Sequence, residues 1–177
     1  MGLTVKKTRI VAVAGAALTV IVATGWTAYS YLTPGRSFFE AMTLHDPDDD
    51  QEVATAARDV FRATVQRHTG TRTIQDVPSD LYEVRVIHTY KGNLTGTVVI
   101  TQTTGDPALR PGHAYVIPTV PWNNPEHEHA VLAEALPRPA DDPGAPATTV
   151  TGKAHGTIDQ HWTWAATHPS PGVNSYP

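Results

Sequence analysis

From Ile10 to Leu32 the chain reads IVAVAGAALTVIVATGWTAYSYL, a run without a single charged side chain. A helix rising about 1.5 Å per residue over such a length crosses the roughly 30 Å of a bilayer's hydrocarbon core, which constrains everything downstream. Lys6, Lys7 and Arg9 precede the run and every acidic residue follows it. The positive-inside rule therefore keeps residues 1–9 cytoplasmic, and Trp26, Tyr29 and Tyr31 fall where an outer interfacial belt sits. The expectation is a single-pass membrane protein with its bulk outside the cytoplasm. Ala28 and Ser30 also supply the small residues of a signal-peptide cleavage site, so the competing expectation is export followed by release near Ser30. An apolar core helix is the third reading, and the three adjacent bases argue against it.

Beyond this run the chain is acidic, and no Lys/Arg stripe is visible in it. Binding to a nucleic-acid backbone requires clustered cations, so nucleic acid is not an expected partner. There is no cysteine, which removes disulfides, thiolate metal sites, cysteine nucleophiles and lipid-modified cysteine. The 15 prolines and 13 glycines, with only 17% charged residues, favour turn-rich β structure over a helical bundle.

Residues 33–52 contain TPGRS and the acidic run DPDDD and are expected to form a solvated stalk. Asp46, Asp48 and Asp50 imitate the start of a calcium loop, but Gln51 stands where that loop needs glycine and Ala57 where it needs glutamate. A β-domain is expected over residues 53–136. It begins with a short helical lead-in and a strand from about Val60 to His68. In LYEVRVIHTYKGNL, Tyr82, Val84 and Val86 alternate with Glu83, Arg85 and Ile87, the pattern of a half-buried strand. GTVVITQTT follows across a turn over Gly92 to Gly96, giving an antiparallel pair. Pro111-Gly112 suits the centre of a type II turn before the strand HAYVIPTV. HAVLAEAL closes the domain as a strand or short helix. Residues 137–150 read as a Pro/Ala-rich linker, and 151–177 as a C-terminal segment that docks a last strand through Ile158, Trp162 and Trp164 and ends in a disordered tail.

Tyr82-x-Val84-x-Val86, Tyr90-Lys91-Gly92-x-Leu94-x-Gly96-x-Val98 and Leu109-x-Pro111-Gly112-x-x-Tyr115-Val116, preceded by Asp59 to Val65, resemble the bacterial secreted domains related to the N-terminal, netrin-like domain of tissue inhibitors of metalloproteinases. The resemblance covers residues 55 to 120 and implies an all-β fold with minor α content. Its form is a five-stranded barrel of the oligonucleotide/oligosaccharide-binding (OB) type. It does not carry over inhibition, because those inhibitors chelate the protease zinc through an N-terminal cysteine.

Among candidate sites, Glu126-His127-Glu128-His129 is the sharpest. On a strand, His127 and His129 share one face and are the candidate metal ligands, with a third needed from His113, His155 or His161. The opposing reading is a solvated polar loop. HExxH is absent. Asp106 and His113 flank the LRPG turn, but no GxSxG supplies a nucleophile. Trp122, Trp162 and Trp164 are either a binding platform or core aromatics. The function expected is a non-enzymatic binding or scaffolding module without a cofactor, its partner an envelope protein or polysaccharide. The alternatives are an envelope metal-binding protein and a protease inhibitor.

Overall fold

A computed structural model describes residues 45–122 and 124–175; the expected anchor at 10–32 and the first part of the expected stalk lie outside the described residues. Among the described residues no helix is long and apolar enough to cross a membrane. The order is α1 (Asp50–Ala56), β1 (Asp59–Ile74), β2 (Val77–Lys91), β3 (Thr97–Thr103), β4 (Ala114–Pro121), β5 (His129–Val131), β6 (Arg138–Pro139) and α2 (Ile158–Thr167).

The fold is mostly β. Its strands form one sheet in the order β1-β2-β3-β5-β4-β6, and β1 pairs with β4 as well, so the sheet closes in a ring. All pairings are antiparallel except β3 with β5. The ring follows from period-two patterning, because Phe61, Ala63, Val65, Tyr82, Val84, Ile100, Leu109 and Ile117 form one buried cluster. Val60 and Val116 point the other way, into a second cluster with Val53, Ala54, Ala57, Ala135, Ala140, Trp162 and Ala165. The paired segments of β1 and β4 are thus buried on both faces, one by the ring and one by the helices.

Five expectations change here. The acidic run is folded from its middle onward: Asp49 caps α1 by accepting from the N–H groups of Gln51 and Glu52, and Asp50 is buried. Strand β1 runs on to Ile74, past the expected end at His68, because its polar distal half is zipped to β2 by Arg67–Glu83, His68–Asp80 and Thr71–Asp80 contacts. Residues 137–150 are no free linker. Strand β6 pairs with Tyr115 and Val116, Ala140 is buried, and the Asp141 carboxylate accepts from the Ala114 N–H at 2.6 Å.

The fourth concerns Ile158, Trp162 and Trp164, which lie on a helix and not on a strand. Thr157 and Gln160 form a reciprocal capping box at its start, and Trp162 and Ala165 are its buried face. The expected disordered tail also docks at its start, where the Ser170 N–H donates to Thr55 Oγ1 at 2.8 Å and Gln51 Nε2 donates to the His168 carbonyl at 2.7 Å.

The Tyr90-Lys91-Gly92 motif is explained by this packing. Tyr90 hydroxyl donates to Asp159 on α2. Lys91 Nζ donates to the carbonyls of Ala54, Thr55 and Ala57 at 2.8, 2.9 and 2.7 Å, satisfying the C-terminal end of α1. Gly92 has φ +85, and a Cβ there would stand 1.9 Å from Asp59 Oδ1. Gly92→Ala is therefore expected to cost about 3 kcal/mol by urea unfolding, combining the positive-φ penalty with displacement of a buried carboxylate. Gly96, with φ +73 and nothing within 4 Å of its would-be Cβ, isolates the backbone part. Gly96→Ala should cost only about 1 kcal/mol.

Candidate functional site

The turn predicted at Pro111-Gly112 forms as expected and builds one side of a cleft. The His113 N–H donates back to the Arg110 carbonyl at 3.2 Å, and Gly112 takes φ +83. Two backbone bonds fasten the turn to β1, Gly112 N–H to the Val65 carbonyl and Val65 N–H to the His113 carbonyl. Leu109 is thereby pressed into the ring cluster, and the Arg110 N–H donates to the Tyr115 hydroxyl at 3.2 Å. The facing side is the segment through β6, with Leu136, Pro137, Pro139 and Asp141.

The cleft between them encloses about 600 Å³, within the usual range for ligand pockets. Three polar groups converge on its mostly apolar wall. Gln102, 3% exposed, donates from its amide nitrogen to the Pro107 carbonyl at 3.3 Å. That bond turns the amide nitrogen away and leaves Oε1 at the other end, buried and without a hydrogen-bond partner among the described residues. His113 Nδ1 lies 2.8 Å from Asp141 Oδ2. That bond first, and the Ala114 N–H second, hold the Asp141 carboxyl below its ordinary range. Asp106, the carboxylate that flanks the turn in sequence, lies near Gln102, and His113 turns to Asp141. The third group is the exposed guanidinium of Arg110.

The EHEH segment does not form the arrangement expected of it. His127 has φ +53 and precedes β5, which begins only at His129, so strand alternation cannot place the two imidazoles on one face. The chain must turn there to bring β5 beside both β3 and β4. Glu128 is buried, paired with Arg72 and accepting from Asn124 Nδ2 at 2.9 Å. His129 Nδ1 is buried without a hydrogen bond, 4.0 Å from Asp59 Oδ2. None of the proposed third ligands joins them: His113 holds Asp141, His155 stacks on Trp164 at 3.7 Å, and His161 bonds Asp50. Among the described residues no group of three or more His, Asp or Glu is arranged to hold a metal ion. Trp122 donates its indole N–H to Thr101 Oγ1 at 2.7 Å, and Trp162 belongs to the core, so the tryptophans form no common platform.

Burial lowers the affinity of His129 for a proton below the ordinary value of 6.5, with Asp59 opposing and His127 adding to the shift; burial does the same for His45 against Glu134, Glu52 and Asp46. The unfolded chain then takes up protons before the folded one, so stability is full above about pH 6.5 and falls as the pH drops below it. The urea midpoint is expected to decrease between about pH 7.5 and 5.5, and to decrease less in His129→Gln. An unchanged slope in that variant would refute the assignment.

A second polar cluster reaches across the sequence. The buried Asp50 carboxylate accepts from Arg138 Nε at 3.3 Å and His161 Nε2 at 3.1 Å. His161 Nδ1 in turn accepts the His155 N–H at 3.3 Å, so in the neutral ring the proton sits on Nε2 and points at Asp50. Both nitrogens of that imidazole are committed, Nε2 to α1 through Asp50 and Nδ1 to the loop before α2, while Arg138 ties β6 to the same carboxylate. None of this was visible in the sequence, where Asp50 reads as one acid in an acidic run. The chain matches no protein-family model and no curated protein.

Proposed function

We propose that the chain is a membrane-anchored, extracytoplasmic binding module that performs no chemistry of its own, with the cleft beside the β3–β4 loop as its site. The observation that carries this reading is the cleft itself, a mostly apolar wall with Gln102, Arg110 and His113 converging on it. His113 and Asp141 have the geometry of a base and its orienting carboxylate. The hydroxyl among the lining residues is the Tyr115 phenol, which accepts from a backbone N–H. Positioned donors and acceptors without a nucleophile suit recognition better than turnover.

The ring is, in this reading, an OB-type barrel of the netrin-like kind with β6 appended. The strand order β1-β2-β3-β5-β4 returning to β1 supports it. In such barrels the β1–β2 and β4–β5 loops commonly hold ligands. Here Arg72 and Glu128 tie the arm of one to the other, which leaves the β3–β4 side as the open concavity.

Two experiments test the reading. A photo-reactive residue in place of Leu136, 39% exposed and lining the cleft, is expected to give a discrete adduct in native membranes. The same residue at Ile87, exposed on β2, is expected to give none. Equal labelling at both, or none at Leu136, would remove the cleft from the proposal. For topology, a cysteine replacing Val150, 63% exposed, should react with an impermeant thiol reagent on intact cells; reaction only after lysis would place the domain inside.

A further inference from the structure

We infer that the cleft beside the β3–β4 loop receives the free carboxylate end of a peptide chain, an inference that rests on the binding-module reading above. Gln102 Oε1 is a buried acceptor with no donor among the described residues, on a side chain whose amide nitrogen donates to the Pro107 carbonyl. Such an atom is costly to leave unpaired, and a ligand N–H at the cleft would satisfy it. Arg110 lies on the same wall, exposed, with its main chain pinned by Tyr115 and no carboxylate within salt-bridge distance among the described residues. A guanidinium so placed selects a carboxylate.

Asp141 on the facing side engages His113 and the Ala114 N–H and makes no ion pair with Arg110, so the guanidinium is left for a ligand carboxylate, which the Asp141 charge keeps on the Arg110 side of the cleft. The remaining wall, with Leu109, Leu136, Pro137 and Pro139, is apolar and wants a hydrocarbon side chain.

A peptide's last residue carries an N–H donor, a side chain and a carboxylate on one Cα, and so matches all three features at once. An internal peptide segment has the N–H but no charge. A free amino acid brings an ammonium group beside Arg110, which repels it. The shared chemistry is an N-acylated amino-acid carboxylate, whether it ends an L-chain protein or a peptide with a D-residue at its terminus.

The test uses the full-length protein in detergent micelles and fluorescent N-acetylated peptides ending in Ala-Leu, as free acid or C-terminal amide, with an L or a D final residue. Fluorescence anisotropy should show the acid binding at least about tenfold more tightly than the amide. The tighter of the L and D forms identifies the source. Arg110→Gln should abolish the preference for acid, and Gln102→Leu should weaken acid and amide alike. Should Gln102→Leu fail to fold, Arg110→Gln at its exposed position carries the test. Equal affinities for acid and amide, no binding of either, or an unchanged preference in Arg110→Gln would overturn the inference. An adduct from the Leu136 position together with any of those results removes the carboxylate assignment and leaves the binding-module reading standing; no adduct there removes both.

Discussion

Asp50→Ala is expected to lower the unfolding free energy by about 3 kcal/mol, measured by urea denaturation at neutral pH. The carboxylate is 3% exposed and holds Arg138 from β6 and His161 from α2. Removing it leaves Arg138 Nε and the His161 Nε2–H without their acceptor, with only the Pro47 carbonyl still held by the guanidinium. Breaking a buried pair by deleting one partner costs about 3–5 kcal/mol. The lower end applies because the Arg138 side chain remains 25% exposed and can recruit water. Asp50→Asn keeps an acceptor for one donor at the loss of charge, and about half the effect is expected from it. A loss below about 1 kcal/mol for the alanine variant would mean that the cluster is relaxed and contributes little.

Trp162→Ala is expected to cost about 3–5 kcal/mol, the range for emptying a large aromatic site in a packed core. Trp162 is 3% exposed in the cluster formed with Val53, Ala54, Val60, Val116 and Ala165. Its neighbour Trp164 is only half-buried and stacks on His155 at 3.7 Å. Trp164→Ala should lose less than about 2 kcal/mol, since Trp164 packs at the margin of the core cluster and not within it. Similar losses for both would show that α2 acts as a loosely docked unit, against the core described here.

The two predictions depend on parts of the fold that differ in how far the sequence reveals them. The strand from Tyr82 to Val86 was legible because one face packs into the ring and the other meets solvent, which produces alternation. The distal half of β1 carries no such signal. Both its faces are exposed, and it is held by cross-strand polar pairs whose partners lie in β2. The helix α2 had a local signal, the Thr157-x-x-Gln160 box, that outweighs the β-leaning composition of its tryptophans. The candidate site was partly readable. Pro111-Gly112 announces its turn, and His113 follows it directly.

Two further features of the site were not readable. Gln102 is an unremarkable polar residue in a β strand until the fold buries it, and Asp141 lies in a stretch whose composition reads as linker. The EHEH pattern drew attention for its residue types, yet the backbone turn at His127 and the pairing of Glu128 with Arg72 depend on contacts far along the chain.

The joining of α1 to α2 also bears on how the molecule is made. Asp50 and His161 are 111 residues apart, and the ring is closed by β1 against β4, so α2 completes a cluster whose other members, from α1 and β1, are synthesised about a hundred residues earlier. Pairings of such long separation form slowly, since the intervening chain must be ordered before they are gained. A polypeptide emerging N-terminus first holds Val53, Ala54 and Val60 exposed until α2 arrives. Completion of this fold is thereby tied to delivery of α2, and a product truncated before Ile158 presents an uncovered apolar surface that quality-control proteases can recognise.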